Sequence, residues 1–380
     1  MIRILLDPQT FITQEFGGIS RYFTELYTYF DNEAQVHTLF PLLYTDNIHY
    51  KESRFFENSY QSKHAFLIRY SKLLRPYLPR KLKKKSKEKA IDLLKKQEFD
   101  LFVPTYYDAY FLDYIKDKPF VLTVHDMIHE LYPQYFTDDP ATASNKKILI
   151  EHATKIIAIS ENTKKDILKF NPNIDAAKIE VVYLGQNIKD EPALELNVPE
   201  KYILFVGNRT LYKNFIFFIK AIGPILIEKR DLFVVCAGGN PFNNEEELLI
   251  HKLGIANRVL QQNFKDAELT SYYRKALCFV FPSAYEGFGI PVLEAMACGC
   301  PIVLTNNSSF PEVAGEAGIY FELDNSDDLK NKVNYVLENA EIREQYRAKG
   351  IAQANKFTWN KTATETLKVY ELAISKSVNY

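Results

Sequence analysis

Glycine is scarce in this chain: 14 in 380 residues, against a usual share of ~7%. None stands between Gly18 and Gly185. A chain so sparing places glycine where backbone must turn tightly or touch a ligand, and ten of the 14 gather as Gly17-Gly18, Gly207, Gly238-Gly239, Gly287/Gly289/Gly299 and Gly315/Gly318. Cysteine is scarcer still. Cys236, Cys278, Cys298 and Cys300 have no CxxC spacing and no nearby histidine, and the last two are too close for an ordinary disulfide. They read as small buried thiols in a reducing cytoplasm. Neither sign of charge dominates, with 47 Lys+Arg against 48 Asp+Glu, which removes a chain-wide attraction to nucleic acid. No apolar run approaches a membrane span. The start, Met1-Ile-Arg-Ile-Leu-Leu-Asp7, reads as a strand rather than a signal peptide, because an acid interrupts it after a few apolar positions. The expected protein is soluble, or at most peripheral on a membrane.

What is present is alternation. Short apolar runs at Ile2 to Leu6, Leu101 to Pro104, Phe120 to Val124 and Lys155 to Ser160 predict strands, and helices are expected from Ser20 to Phe30 and from Asn162 to Phe170. A polar stretch from Gln186 to Glu200 has no periodicity and reads as a linker. A second series of strands follows at Tyr202 to Val206, Leu232 to Ala237, Leu277 to Phe281 and Ile302 to Leu304. Two such blocks predict an α/β protein of two facing, doubly wound, Rossmann-like domains, residues 1–185 and 186–359. The last helix, 360–380, carries Ala363, Leu367, Tyr370 and Ile374 on one face and is expected to return to the first domain.

The most informative stretch is Glu286-Gly-Phe-Gly-Ile-Pro-Val-Leu-Glu294. It follows a strand buried on both faces and precedes a helix opened by Pro291 and closed by Gly299. Gly287 and Gly289 let the backbone approach a ligand, and the helix start suits a phosphate or diphosphate. Carboxylates would repel that phosphate, so Glu286 and Glu294 suit sugar hydroxyls instead. The position three after Gly289 is Val292, so this is not a dinucleotide fingerprint. A tight turn with two solvated glutamates is the plain alternative. His125-Asp-Met-Ile-His129 has HxxxH spacing but lacks the glutamate of HExxH, and no metal site is expected. One basic run, Arg80-Lys-Leu-Lys-Lys-Lys-Ser-Lys-Glu-Lys89, reads either as a solvated helix face or as a patch for an anionic membrane surface.

Taken together, these motifs resemble the family 4 retaining glycosyltransferases of the GT-B fold, and most of all a bacterial mannosyltransferase-like branch. The resemblance rests on the Phe281–Gly299 stretch, Phe205-Val-Gly-Asn-Arg-Thr-Leu-Tyr-Lys-Asn214, Gly17-Gly-Ile-Ser-Arg-Tyr22, Pro104-Thr-Tyr-Tyr107, Thr123-Val-His-Asp-Met127 and Ala158-Ile-Ser160. It implies a cleft between the domains that closes over a nucleotide-sugar. Arg209 and Lys213, after the Gly207 turn, would hold the donor diphosphate. Tyr212 stands where many relatives carry a second cation, which leaves that part to Arg209. Glu294 would accept from the ribose and Glu286 would border the transferred sugar, with backbone at Phe288, Gly289 and Ile290 completing the contacts. Gly17 and Gly18 would face the diphosphate and acceptor from the first domain, and His125 would lie near the donor sugar. The segments Asn240–Glu245 and Gln261–Phe264 sit where the family reads the base.

The activity so implied is metal-independent, cofactor-free transfer of a hexose from a nucleoside-diphosphate sugar to a hydroxyl, with retention. Mannose from GDP-mannose is the foremost donor. The acceptor is a growing surface glycan or lipid-linked oligosaccharide, met in the cytoplasm or on the inner face of the plasma membrane. UDP-glucose or UDP-GlcNAc as donor, or a non-catalytic sugar-nucleotide-binding scaffold, are the alternatives.

Overall fold

The computed structural model describes residues 1–58, 77–186, 188, 194–209, 211–264 and 266–377, so part of the expected linker lies outside the described residues. The chain divides into two compact units, Met1–Gly185 with Trp359–Tyr380, and Gln186–Thr358.

In the first unit β1 (Ile2–Leu6) pairs in parallel with β2 (Val36–Leu39) and β3 (Leu101–Val103). A second parallel set follows, β4 (Val121–Val124), β5 (Lys155–Ala158) and β6 (Ile179–Val181). A parallel bridge between Phe102 and Phe120 joins the two sets. The running order is therefore β2-β1-β3-β4-β5-β6, and it reverses between β1 and β3. Leu5, Phe102, Val124 and Ile156 are fully buried in its core. The helix Trp359–Ser377 packs on the helix Gly18–Phe30 and on β5. Tyr370 is fully buried there, its ring 5.9 Å from that of Phe30.

The second unit holds a six-stranded parallel sheet of β7 (Tyr202–Val206), β8 (Phe233–Ala237), β9 (Val259–Gln262), β10 (Cys278–Phe281), β11 (Ile302–Thr305) and β12 (Gly318–Phe321). Their order is β12-β11-β10-β7-β8-β9, so the winding reverses between β7 and β10. The helix Phe215–Glu228 covers the sheet with Phe218, Ile219, Ile222 and Leu226. All four cysteines are buried and free. Burial, the largest cause in each, pushes the Cys236, Cys278 and Cys298 thiols up to about 12 against the pull of nearby arginines, so they pack as apolar groups.

The structure adds β2, β6, β9 and β12 to the strands expected from the sequence. All four are sheet edges. With a neighbour on one side only, β2, β6 and β9 mix polar residues into their apolar ones, as Gln261 and Gln262 do in β9, and lose the continuous run that marks an inner strand, whereas β12 is apolar and short. The basic run lies on the helix Leu78–Lys96, with Pro79 in its first turn. Among the described residues no helix is long and apolar enough to cross a membrane.

Candidate active site

Where the order of a parallel sheet reverses, the loops from two neighbouring strands diverge to opposite faces and leave a crevice at the strands' carboxyl ends. In the second unit those loops follow β7 and β10. The backbone N–H of Ala284 donates to the Tyr212 carbonyl at 2.8 Å, which ties one loop to the other. Across this tie the Lys213 ammonium is paired with the Glu286 carboxylate. Neither side chain is fully covered, with 19% and 16% exposed, so water or a ligand reaches the pair. Lys213 also stands over the Tyr212 and Phe281 rings, 5.1 and 5.4 Å from their centroids.

The loop after β10 is laced from below by the polar run after β11. Glu286 N–H donates to Ser308 Oγ at 3.0 Å, and Ser309 Oγ lies 3.0 Å from both the Glu286 and Phe288 carbonyls. The Thr305 hydroxyl donates to the Ser283 carbonyl at 2.9 Å. The backbone of Glu286 and Phe288 is thereby fixed before any ligand arrives. Gly289 then turns the chain into the helix Ile290–Ala297 with φ +94°, a conformation that suits glycine. A Cβ there would lie 3.2 Å from Phe310 Cε1. Pro291, which has no N–H, stands in the first turn of the helix. The Val292 and Leu293 N–H groups donate to the Gly289 carbonyl at 2.9 and 3.3 Å, so what the helix start offers a ligand is its positive dipole end. Glu294, one turn further, is buried, and Tyr273 Oη donates to it at 3.4 Å.

Arg209 is placed differently from Lys213. Its guanidinium is buried against Glu246, Nε to Oε1 at 3.1 Å. The other nitrogens donate to the Gly238, Asn240 and Pro241 carbonyls. The structure thus brings Lys213, Glu286, Gly289 and Ile290 to one crevice and engages Arg209 with protein groups beside it. Gly207, with φ +92°, donates its N–H to the Ala237 carbonyl at 2.9 Å and so starts the β7 loop.

In the first unit Gly17 is extended and caps the helix Gly18–Phe30. Its carbonyl accepts from Arg21 N–H and Ser20 Oγ, both at 3.0 Å. His125, just past β4, packs edge-on against Tyr22 and Phe23 of that helix, at 5.1 and 6.0 Å between ring centroids. Its backbone N–H donates to Tyr107 Oη at 3.1 Å. Burial, reinforced by the Lys146 ammonium and opposed by Asp126, lowers the imidazole to about 4. It is neutral at physiological pH, with Nε2 buried and unpartnered by protein. His129 belongs to the separate short helix Ile128–Leu131, so the HxxxH spacing does not lie on one helix.

Two family models match. "Glycosyltransferase Family 4" covers residues 16–189 and "Glycosyl transferases group 1" covers residues 186–353, so together they run through both units. The chain belongs to the family 4 glycosyltransferases. O-antigen chain mannosyltransferase B of Escherichia coli is 29% identical over 271 residues, covering 66% of this chain and 70% of that protein. O-antigen chain mannosyltransferase RfbU of Salmonella typhimurium is 30% identical over 211 residues, covering 55% of this chain and 58% of that one. Among solved structures, Anabaena HepE, crystallised with UDP and glucose, superposes with a TM-score of 0.68 at 17% identity over 98% of this chain and 99% of that one. That likeness gives the glycosyltransferase its fold, GT-B.

Sequence reasoning missed two features of this glycosyltransferase. Ser308 and Ser309 were recognisable only as polar residues after an apolar run. Asp7, at the end of β1 where the first sheet reverses, is fully buried and accepts from Tyr110 Oη at 2.7 Å. Burial raises its carboxyl to about 7, opposed by the Tyr110 hydrogen bond. Folding therefore holds a proton that the unfolded chain, with an ordinary carboxyl near 3.8, gives up. This contribution to stability is complete below pH ~4 and is lost as pH rises through about 7. Asp7→Asn removes the ionisable group. It is expected to match the wild type in chemical denaturation at pH 4 and to exceed it by ~2–4 kcal/mol at pH 8; equal stability at both pH values contradicts the burial account.

Proposed function

We propose that the chain transfers a hexose, foremost mannose from GDP-mannose, to a hydroxyl of a growing surface glycan, with retention at the anomeric carbon. The observation that carries the reading is the Lys213–Glu286 pair across a preformed crevice at the reversal of the sheet. Its position next to the start of the helix Ile290–Ala297 suits a diphosphate on the cationic side and sugar hydroxyls on the anionic side. The two O-antigen mannosyltransferases among the relatives support the sugar and the acceptor class.

The chemistry follows from the charges. As the glycosidic bond breaks, negative charge grows on the leaving diphosphate and positive charge on the anomeric carbon. The Lys213 ammonium, released from Glu286 by the incoming phosphate, together with the positive dipole end of the helix Ile290–Ala297, stabilises the first. The freed Glu286 carboxylate stabilises the second. With Lys213 already drawn onto the phosphate when the donor binds, these charges need no further reorganisation at the moment of reaction. The leaving phosphate oxygen takes the proton of the attacking hydroxyl, which comes from the same face and so retains configuration. Glu294 holds the ribose.

The test is an assay in EDTA with GDP-mannose and a mannosyl acceptor, with UDP-glucose and UDP-GlcNAc in parallel, reading released nucleotide and the product's anomeric proton by NMR. Transfer with retained configuration is expected. An inverted product contradicts the mechanism, and donor conversion without acceptor points to an epimerase. Nucleotide binding without transfer to any acceptor points to a scaffold. Lys213→Met is expected to lower kcat by ~10²–10³-fold, and a near-normal rate removes Lys213 from the diphosphate.

The helix Leu78–Lys96 extends this proposal to the membrane. Lys83 is paired with Asp46 at 3.0 Å, Lys87 with Asp108, and Lys84 with Glu88 of the same helix at 3.9 Å; Arg80, Lys81, Lys84, Lys85 and Lys89 are exposed and would face anionic lipid. Each such cation contributes ~1 kcal/mol at a lipid surface. Substituting Lys81, Lys84 and Lys85 together by Gln is expected to weaken binding to phosphatidylserine vesicles by ~100-fold in sedimentation, while activity on a soluble acceptor stays unchanged. Unaltered vesicle binding assigns the run to a solvated face.

A further inference from the structure

Arg209 departs from the part that charge alone would give it. A cation three residues past a strand end, beside the crevice, is expected on the diphosphate. Instead its Nε donates to Glu246 Oε1 at 3.1 Å, and Nη1 donates to the Gly238 carbonyl at 3.4 Å. Nη2 donates to the Asn240 carbonyl, and to the Pro241 carbonyl at 3.1 Å. The guanidinium also faces the Phe242 and Phe215 rings, 4.7 and 5.5 Å from their centroids. Both ionised side chains are almost wholly buried, with 4% and 3% exposed. Moving Arg209 onto a phosphate would leave Glu246 buried without its counter-charge, a costly state. Lys213 has no such constraint, because its partner Glu286 keeps a path to water.

Glu246 passes the constraint on. Its Oε2 accepts the Asn243 N–H at 2.9 Å, and Asn243 Oδ1 accepts the Glu246 N–H at 2.9 Å, a capping box that opens the helix Asn244–Lys252. The loop from Gly238 to Asn243 is thus held at both ends by one ion pair. Gly239 fits only as glycine: φ is +72°, and a Cβ would lie 2.8 Å from Arg209 Nη1 and 2.9 Å from the Gly207 carbonyl. On the other side the Phe264 ring covers Gly238, where a Cβ would meet Cε1 at 2.9 Å. Phe264 packs on Tyr272 at 6.1 Å, and the adjacent Tyr273 reaches Glu294. The Gly238–Asn240 turn is therefore linked to Glu294 through Phe264 and the helix Asp266–Lys275 that carries both tyrosines.

We propose that Arg209 is a positioning residue: through Glu246 it fixes the loop from Gly238 to Asn243, on which nucleoside binding depends, and neutralisation of the diphosphate falls to Lys213. This rests on the nucleotide-sugar reading of the site, and the experiment separates the two. Displacement calorimetry on the full chain compares guanosine with GDP, and uridine with UDP, for the wild type, Arg209→Met, Glu246→Gln and Lys213→Met. Arg209→Met and Glu246→Gln are expected to weaken nucleoside and diphosphate by the same factor, roughly 10-fold or more. Lys213→Met weakens the diphosphate alone. Loss of diphosphate affinity in Arg209→Met, with nucleoside affinity intact and Glu246→Gln normal, overturns the proposal. Where a single substitution unfolds the protein, the apolar pair Arg209→Met/Glu246→Leu replaces it. That double variant must also lose both ligands equally, and normal affinity for both overturns the proposal. A wild type that binds no nucleotide overturns the donor reading, and this inference with it.

Discussion

The second unit depends on one topological constraint, the reversal of strand order between β7 and β10. Two hydrogen-bonded neighbours send their chains to opposite faces of the sheet, so their loops diverge and the space above the strand ends stays open. The inner strands must be apolar on both sides to sit there, as Ile203, Leu204, Phe279 and Val280 are. Once they do, the polar residues that follow each strand have one place to meet. Lys213 and Glu286, 73 residues apart, meet for that reason. The Ala284–Tyr212 backbone bond and the serines after β11 then turn an open gap into a shaped one.

The charges of the site differ in freedom, and that difference organises the proposed chemistry. Lys213–Glu286 is a pair that an incoming diphosphate can separate, since both ends reach water. Arg209–Glu246 is closed in by aromatic rings and loop carbonyls, and its separation would strand a charge in the interior. One pair is suited to respond to the ligand and the other to hold the frame that receives it. Packing of the same kind governs the charged and titratable groups of the first unit. His125 is kept neutral because it is sealed by Tyr22 and Phe23 from the helix that Gly18 opens.

The sequence made the architecture legible where burial is complete on both faces. Inner strands such as Tyr202–Val206 appear as unbroken apolar runs, whereas Val36–Leu39 and Val259–Gln262 at the edges do not. In the site, the Glu286–Glu294 spacing and the glycines between them were readable because strand, turn and helix are contiguous there. The partner of Arg209 was not, because Glu246 lies 37 residues away and becomes its neighbour only when β7 and β8 pair. Lys213 and Arg209 looked equivalent as cations after a strand. Burial distinguishes them. Asp7 was passed over for a similar reason: one acid at a strand end says nothing of the tyrosine, 103 residues on, that folds over it.

The most direct test of the account is a crystal structure of the protein with a bound nucleoside diphosphate, grown without added metal. The account predicts the diphosphate at the carboxyl ends of β7 and β10, with Lys213 Nζ moved from Glu286 to a phosphate oxygen and Arg209 still paired with Glu246. A diphosphate bound elsewhere, or held by Arg209 while Lys213 remains on Glu286, would contradict it.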